Sequence, residues 1–342
     1  MTGKERIEAA LKGTWPDKRP IMLHNFMLAA RVHGLTMKQY RENPRDAAEA
    51  HISFVERYDL DAVFIDVDTC TTAGAVGVPI DYPEDEPARV SGSQLLQLAD
   101  VDHLEPVDIS KDRYVQNWLE ICCLVKEHFG DEKCVRGNCD QAPFSLASMM
   151  RGTINFMMDL PSGDERIFRL LEYCQDACFQ FIDLMSQTGV DMVSNGDSPA
   201  GPDMISPQMY RTFALPYETS LVKRAHEKYL PYCLHICGDT SLILDSMLET
   251  ESDAFELDFK TDTEVIVSSC KDQVTIIGTI DPVGVMARGS VHNVEEAALS
   301  LLHAFNDTPR FIMNAGCALP PSTPPENIQR LVDVTRAYQE AS

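Results

Sequence analysis

Short apolar or β-branched runs recur along this chain, and each is followed by a stretch whose apolar positions repeat with helical spacing. The runs are 20–23, 62–66, 134–137, 192–194, 232–235, 254–257, 274–278 and 311–314. Among the intervening stretches, 164–188 carries apolar residues at 167, 171, 174, 178, 181, 182 and 185, which share one helical face. Ser162-Gly163-Asp164-Glu165 precedes it in capping-box form. Strands alternating with helices predict a parallel sheet. Eight such units in 342 residues fit a closed (β/α)8 (TIM) barrel better than an open doubly wound sheet, and no G-x-G-x-x-G or P-loop is present.

Residues 81–107 break the rhythm, with Pro83, Pro87 and Pro106 among many acids, and predict an excursion above the barrel. The charged amphipathic start, Met1-Thr2-Gly3-Lys4-Glu5-Arg6, predicts an N-terminal helical extension. Residues 1–342 therefore read as one barrel domain, with no internal repeat or low-complexity tract.

In such a barrel, chemistry sits on the loops that follow the strands. His24 and Asn25 follow the first run, Asp66 and Asp68 lie at the second, and Asn138 and Asp140 follow the third. Asn195 and Asp197 follow the fourth, Asp258 the sixth and Asp281 the seventh. A single Asp at such a place commonly caps the next helix, and Asp281 before Pro282 and Asp239 before Thr240 read as caps or turn formers. Asp68, Asn195 and Asp197 have no such local job, which makes them the candidate catalytic residues.

The sharpest cluster is His235-Ile236-Cys237-Gly238, at the exit of the fifth run, together with Cys317, three residues past the eighth. Once the backbone leaves the sheet at Gly238, His235 and Cys237 can both turn to the barrel axis and meet Cys317. Two thiolates and an imidazole are the ligand set of a catalytic zinc, because three protein ligands leave the fourth tetrahedral position to a substrate. The competing reading is ordinary core cysteine, since the chain has 11 cysteines and free cysteine is commonly buried. A zinc with two thiolates and a neutral imidazole is nearly uncharged, which suits methyl transfer to or from sulfur. Harder His and carboxylate ligands would suit hydrolysis better.

Composition narrows the partners. Lys plus Arg number 29 against 53 Asp plus Glu, a net charge of −24 that repels nucleic acid and anionic membranes. No run of about 18 apolar residues occurs, the start lacks a signal-peptide core, and the odd, scattered cysteines suit a reducing compartment. A cytoplasmic protein is expected, with the oligomeric state left open.

The chain resembles the uroporphyrinogen decarboxylase superfamily over nearly its whole length. The resemblance rests on Gly316-Cys317-Ala318-Leu319-Pro320-Pro321-Ser322-Thr323-Pro324-Pro325-Glu326-Asn327, on Ala142-Pro143-Phe144-Ser145-Leu146-Ala147, on Ile205-Ser206-Pro207 with Leu215-Pro216, and on Gly278-Thr279-Ile280-Asp281-Pro282. Within it the chain is most similar to the zinc-containing, cobamide-dependent methyltransferases of the methylcobamide:coenzyme M type. Asn25 and Ala29 stand where the decarboxylase has arginines, and Cys317 stands where it has a histidine. Arg31 and Arg151 are what remains to serve as a carboxylate clamp. The resemblance implies a (β/α)8 barrel and Zn²⁺ on His235, Cys237 and Cys317. It also implies a cobamide carried by a separate corrinoid protein, and a small thiol or methylated molecule as the other partner. The alternatives are a decarboxylase of the porphyrinogen type and a non-catalytic zinc-binding barrel.

Overall fold

The computed structural model describes residues 1–338. Its main sheet has seven parallel strands in chain order: β1 (Ala62–Ile65), β2 (Cys134–Gln141), β3 (Met192–Gly196), β4 (Tyr232–Ile236), β5 (Ala254–Leu257), β6 (Thr275–Ile280) and β7 (Phe311–Ala315). The strands are short and buried almost throughout, as expected where helices cover the outside of a parallel sheet.

The first apolar run forms no strand. Ile21 makes a lone parallel bridge to Met313. The Met22 N–H donates to the Met313 carbonyl at 3.0 Å, the Met313 N–H donates to the Pro20 carbonyl at 2.9 Å, and on the other side the Asp61 N–H donates to the Ile21 carbonyl at 3.0 Å. Pro20 has no N–H to give, so the ladder cannot extend downward. The seven strands thus curl into a barrel wall, and residues 20–22 bridge its gap with too few bonds to count as an eighth strand.

Inward-facing positions recur every two residues along each strand. The lower ones, Met22, Ala62, Phe64, Cys134, Met192, Cys233, Ala254, Ile277 and Ile312, form an apolar cluster of their own with Ile7 and Ala10. Those last two belong to the helix Gly3–Lys12, which a Thr2/Glu5 capping box starts and Gly13, at φ 70°, ends. The predicted N-terminal extension is therefore a plug in the bottom of the barrel. Two residues further up most strands the lining turns polar, with Arg136, Ser194, His235, Glu256 and Asn314.

The helix predicted over 164–188 runs Glu165–Met185, and every residue of its predicted apolar face is buried. Its cap lies two residues later than the predicted box. Asp164 accepts the Arg166 N–H, while the Ser162 hydroxyl only receives the Asp164 N–H at 3.2 Å. The 81–107 excursion holds a small antiparallel pair, Ile80–Asp81 with Arg89–Val90, and one helical stretch, Leu98–His103.

The wall, the plug and the last helix meet at Asp61, which is fully buried. Its carboxylate accepts the Ile21 N–H at 2.8 Å and pairs with Arg6 of the plug at 3.0 Å and with Arg336 of the helix Pro325–Ala337 at 2.8 Å. Removing it would leave the Ile21 amide buried without its acceptor and take a carboxylate from both guanidinium groups, Arg6 keeping only Asp17 and Arg336 only the Arg19 and Asp59 carbonyls. Asp61→Ala should lower the unfolding free energy by ~3–5 kcal/mol, read from the midpoint of urea denaturation. A midpoint unchanged from that of the parent protein would refute this role.

Candidate metal centre

His235 lies in the inward phase of β4, and Cys237, two residues on and one past the strand's end, continues that phase. Gly238 then turns the chain at φ 92°, a conformation that favours glycine, and its N–H donates to Asp258 Oδ2 at 2.9 Å. Cys317 arrives just past β7 behind Gly316, where an added Cβ would lie 2.7 Å from the Phe259 amide nitrogen. These two tight passages bring the ligands together. His235 Nε2 is 2.9 Å from Cys237 Sγ, and the two sulfurs are 3.6 Å apart. All three candidate donor atoms lie within 4.8 Å of one another.

The second nitrogen of His235 is already committed. Nδ1 lies 2.9 Å from the backbone carbonyl of Glu256, a bond it can make only as donor, and this turns Nε2 toward the sulfurs. Without a metal, the Cys317 thiol donates to Cys237 and, against the cost of burial, holds it down at about 3 with help from His235. The same hydrogen bond, with burial, pushes Cys317 up. His235 is lifted to about 10 by the Cys237 thiolate although burial opposes its charge. Soft donors that converge, with the imidazole oriented from behind, fit a zinc ion.

The cluster opens into a cavity of about 420 Å³. Its floor is a ring of hydrogen bonds closed by one ion pair. His24 Nε2 meets Asp66 Oδ2 at 2.7 Å, Asn138 Nδ2 donates to Asp66 Oδ1 at 3.0 Å, and Ser194 Oγ donates to Asn138 Oδ1 at 3.2 Å. Arg136 Nε donates to Ser194 Oγ at 3.0 Å, Arg136 NH1 pairs with Glu256 Oε2 at 2.5 Å, and Glu256 Oε1 meets His24 Nδ1 at 3.2 Å. Arg136 also lies over the Phe64 ring, 3.7 Å from its centroid. Despite burial, Arg136 and His24 hold Glu256 well below the usual carboxylate range. Burial lowers His24, but its two carboxylate partners raise it overall.

Of the three candidate catalytic residues only Asp68 lines this cavity. Its Oδ1 accepts the Cys70 N–H and the Thr71 hydroxyl, its Oδ2 has no partner, and burial raises its pKa. Asn195 and Asp197 fall in the opposite phase of β3 and face the helices. Asn195 takes the Tyr232 hydroxyl at 3.0 Å and donates to the Cys139 carbonyl at 2.6 Å. Asp197 receives both the N–H and the hydroxyl of Ser145, at 2.8 and 2.6 Å, and burial lifts it to about 6. Asp281 caps the helical turn Pro282–Ala287, and Asp239 takes the N–H and hydroxyl of Ser241, as expected. Asp140 holds the Thr72 N–H at 2.7 Å. Arg151 is spent on Asp159 and the Leu95 and Leu96 carbonyls, and Arg31 lines a neighbouring groove beside Asp85 and Glu86. Arg136, Glu256 and Gln141 were not among the predicted site residues. The available signal was a charged residue in the middle of each of two buried runs, 134–137 and 254–257.

The sequence pattern of the family described as "Uroporphyrinogen decarboxylase (URO-D)" matches residues 2–338. The methylcobamide:CoM methyltransferase MtbA of Methanosarcina mazei is 28% identical over 242 residues, covering 71% of this chain and 69% of its own length. The uroporphyrinogen decarboxylase of Koribacter versatilis is 26% identical over 311 residues, covering 87% and 84%. A methyltransferase structure from Methanosarcina mazei superposes with a TM-score of 0.90 at 22% identity over 98% of both chains, which establishes the barrel fold.

The metal-free cluster makes a chemical prediction. Because Cys237 faces both the His235 ring nitrogen and the Cys317 thiol, it holds the thiolate of the pair while Cys317 keeps its proton, and iodoacetamide at pH 6 should alkylate Cys237 first. Peptide mass mapping of chelator-treated protein checks the order, and prior modification of Cys317 would contradict the assignment.

Proposed function

We propose that this chain, which belongs to the uroporphyrinogen decarboxylase family, is a corrinoid-dependent methyltransferase with its centre at His235, Cys237 and Cys317. It would move a methyl group between a cobamide on a separate corrinoid protein and a small thiol or methylated molecule. The observation that carries this reading is the convergence of two sulfurs and one oriented imidazole nitrogen at the mouth of a family barrel. The names of relatives support it, since MtbA and MtaA of Methanosarcina are methylcobamide:CoM methyltransferases. When bound there, zinc supplies Lewis acidity that keeps a substrate sulfur ionised at neutral pH.

The chain's own residues do the rest. Cys237 and Cys317 would offset the charge of a metal held there, and the Glu256 carbonyl fixes the His235 ring. Phe26, Met27, Met149 and Pro199 form apolar walls that keep water from the reacting sulfur. Asp68 Oδ2, buried and unpartnered, is a place to hold a proton. Asn195 and Asp197 support the site from behind as positioning residues. The whole chain acts as one barrel unit. A cytoplasmic setting is supported by eleven free cysteines, and no helix among the described residues is long and apolar enough to cross a membrane.

A porphyrinogen decarboxylase fits less well. Among the described residues that line the cavity the only arginine is Arg136, and Glu256 already matches its charge. Several substrate carboxylates would meet no free cation there.

Cys237→Ala and Cys317→Ala should each lose zinc, measured by elemental analysis, while far-ultraviolet circular dichroism stays that of a folded barrel. Methyl transfer from methylcobalamin to a thiol should fall at least ~100-fold in both, by analogy with the loss of a ligand-orienting or ligand group. Uroporphyrinogen turnover surviving Cys317→Ala, with no methyl transfer from any donor, would restore the decarboxylase.

A further inference from the structure

Strand β2 contains an irregularity beside the cluster. Asn138 pairs with Ser194 and Gln141 with Gly196, so three steps along β2 match two along β3. The extra residue reverses the alternation, and Gln141 takes an inward phase that a regular strand would deny it. Asp140 sits at φ 60°, costly for a residue with a side chain, and is pinned there by the Thr72 N–H on its carboxylate. The consequence is a buried side-chain amide directed into the cavity. A Cβ added to Gly196 would lie 3.5 Å from Gln141 Nε2 and 3.9 Å from His235 Cδ2, so the amide and the ligand ring are neighbours over a position kept free of side chain. The amide makes no hydrogen bond among the described residues.

The charges around it are already matched. His24 lies between Asp66 and Glu256, and Arg136 is paired with Glu256. A zinc with two thiolates adds no net charge, and Asp68 contributes only negative character. A second anionic group on the ligand, beyond a sulfur facing the metal, would be desolvated here without a counter-ion.

Resting on the methyltransferase reading above, we propose that Gln141 is a substrate-positioning residue and that the small molecule bound at the cluster carries no charged group besides the sulfur it presents to the metal, with a hydroxyl, ether or carbonyl oxygen held by the Gln141 amide.

Isothermal titration of the protein, with and without added zinc, can use two thiols that differ in charge, 2-mercaptoethanol and 2-mercaptoethanesulfonate. The neutral thiol should bind the zinc-loaded protein more tightly. Gln141→Leu should weaken it about tenfold, the usual size of one hydrogen bond to a buried partner, with zinc content unchanged. Gln141→Arg, which adds a cation at the same place, should reverse the preference. The proposal is overturned if the parent protein prefers the sulfonate or binds neither thiol, or if Gln141→Leu leaves both affinities unaltered. Methyl transfer is measured separately. Its absence with the affinity order intact removes the methyltransferase reading alone, whereas a reversed order with active methyl transfer removes only this proposal.

Discussion

Glu256 is the residue on which the cavity depends. Its backbone carbonyl orients His235, and its carboxylate joins His24 to Arg136, closing the ring of hydrogen bonds on the floor. Each ionised member would be costly alone in a barrel interior, and each is acceptable because an opposite charge faces it. A ring of this kind is rigid, since no member can turn away without leaving another buried and unpaired. The ligand imidazole inherits that rigidity through a single carbonyl.

Below the ring lies an apolar plug, and the change occurs within two residues along a strand. At β5 the step is from Ala254 to Glu256, and at β2 from Cys134 to Arg136. The plug, closed by Ile7 and Ala10, supplies the burial that holds the wall together, while the ring above it supplies orientation. Stability and chemistry are thereby assigned to different layers of one interior, as is usual for this architecture.

Much of this was legible in the sequence, for identifiable reasons. The strand runs were visible because parallel strands buried on both faces read as continuous apolar stretches, and the ligands stood out because they followed two of those runs. The first run was overestimated, since nothing in 20–23 reveals that it would make only one bridge. Asn195 and Asp197 were grouped with the site by position along the chain, without regard to phase. Counting by two from Ser194, whose hydroxyl joins the ring, would have turned them outward. Arg136 and Glu256 carried a signal in being charged within buried runs, but each made sense only opposite the other. The extra residue before Gln141 left no local mark, because the strain at Asp140 is relieved by an amide sixty-eight positions away in sequence.

The bridge at Ile21 also governs how the molecule comes to exist. Arg19 donates to the Thr308 carbonyl across 289 residues, and residues 20–22 find their partner in the last strand. A chain growing from its N-terminus therefore makes the plug helix and six strands before the backbone that completes the wall has left the ribosome. Until then residues 20–22 on one side and β6 on the other are open edges with unpaired amides and exposed apolar side chains, the sort of surface that recruits wrong partners. Closure is a late, long-range event with a large loop-entropy cost, and it makes the final strand a checkpoint for the whole barrel.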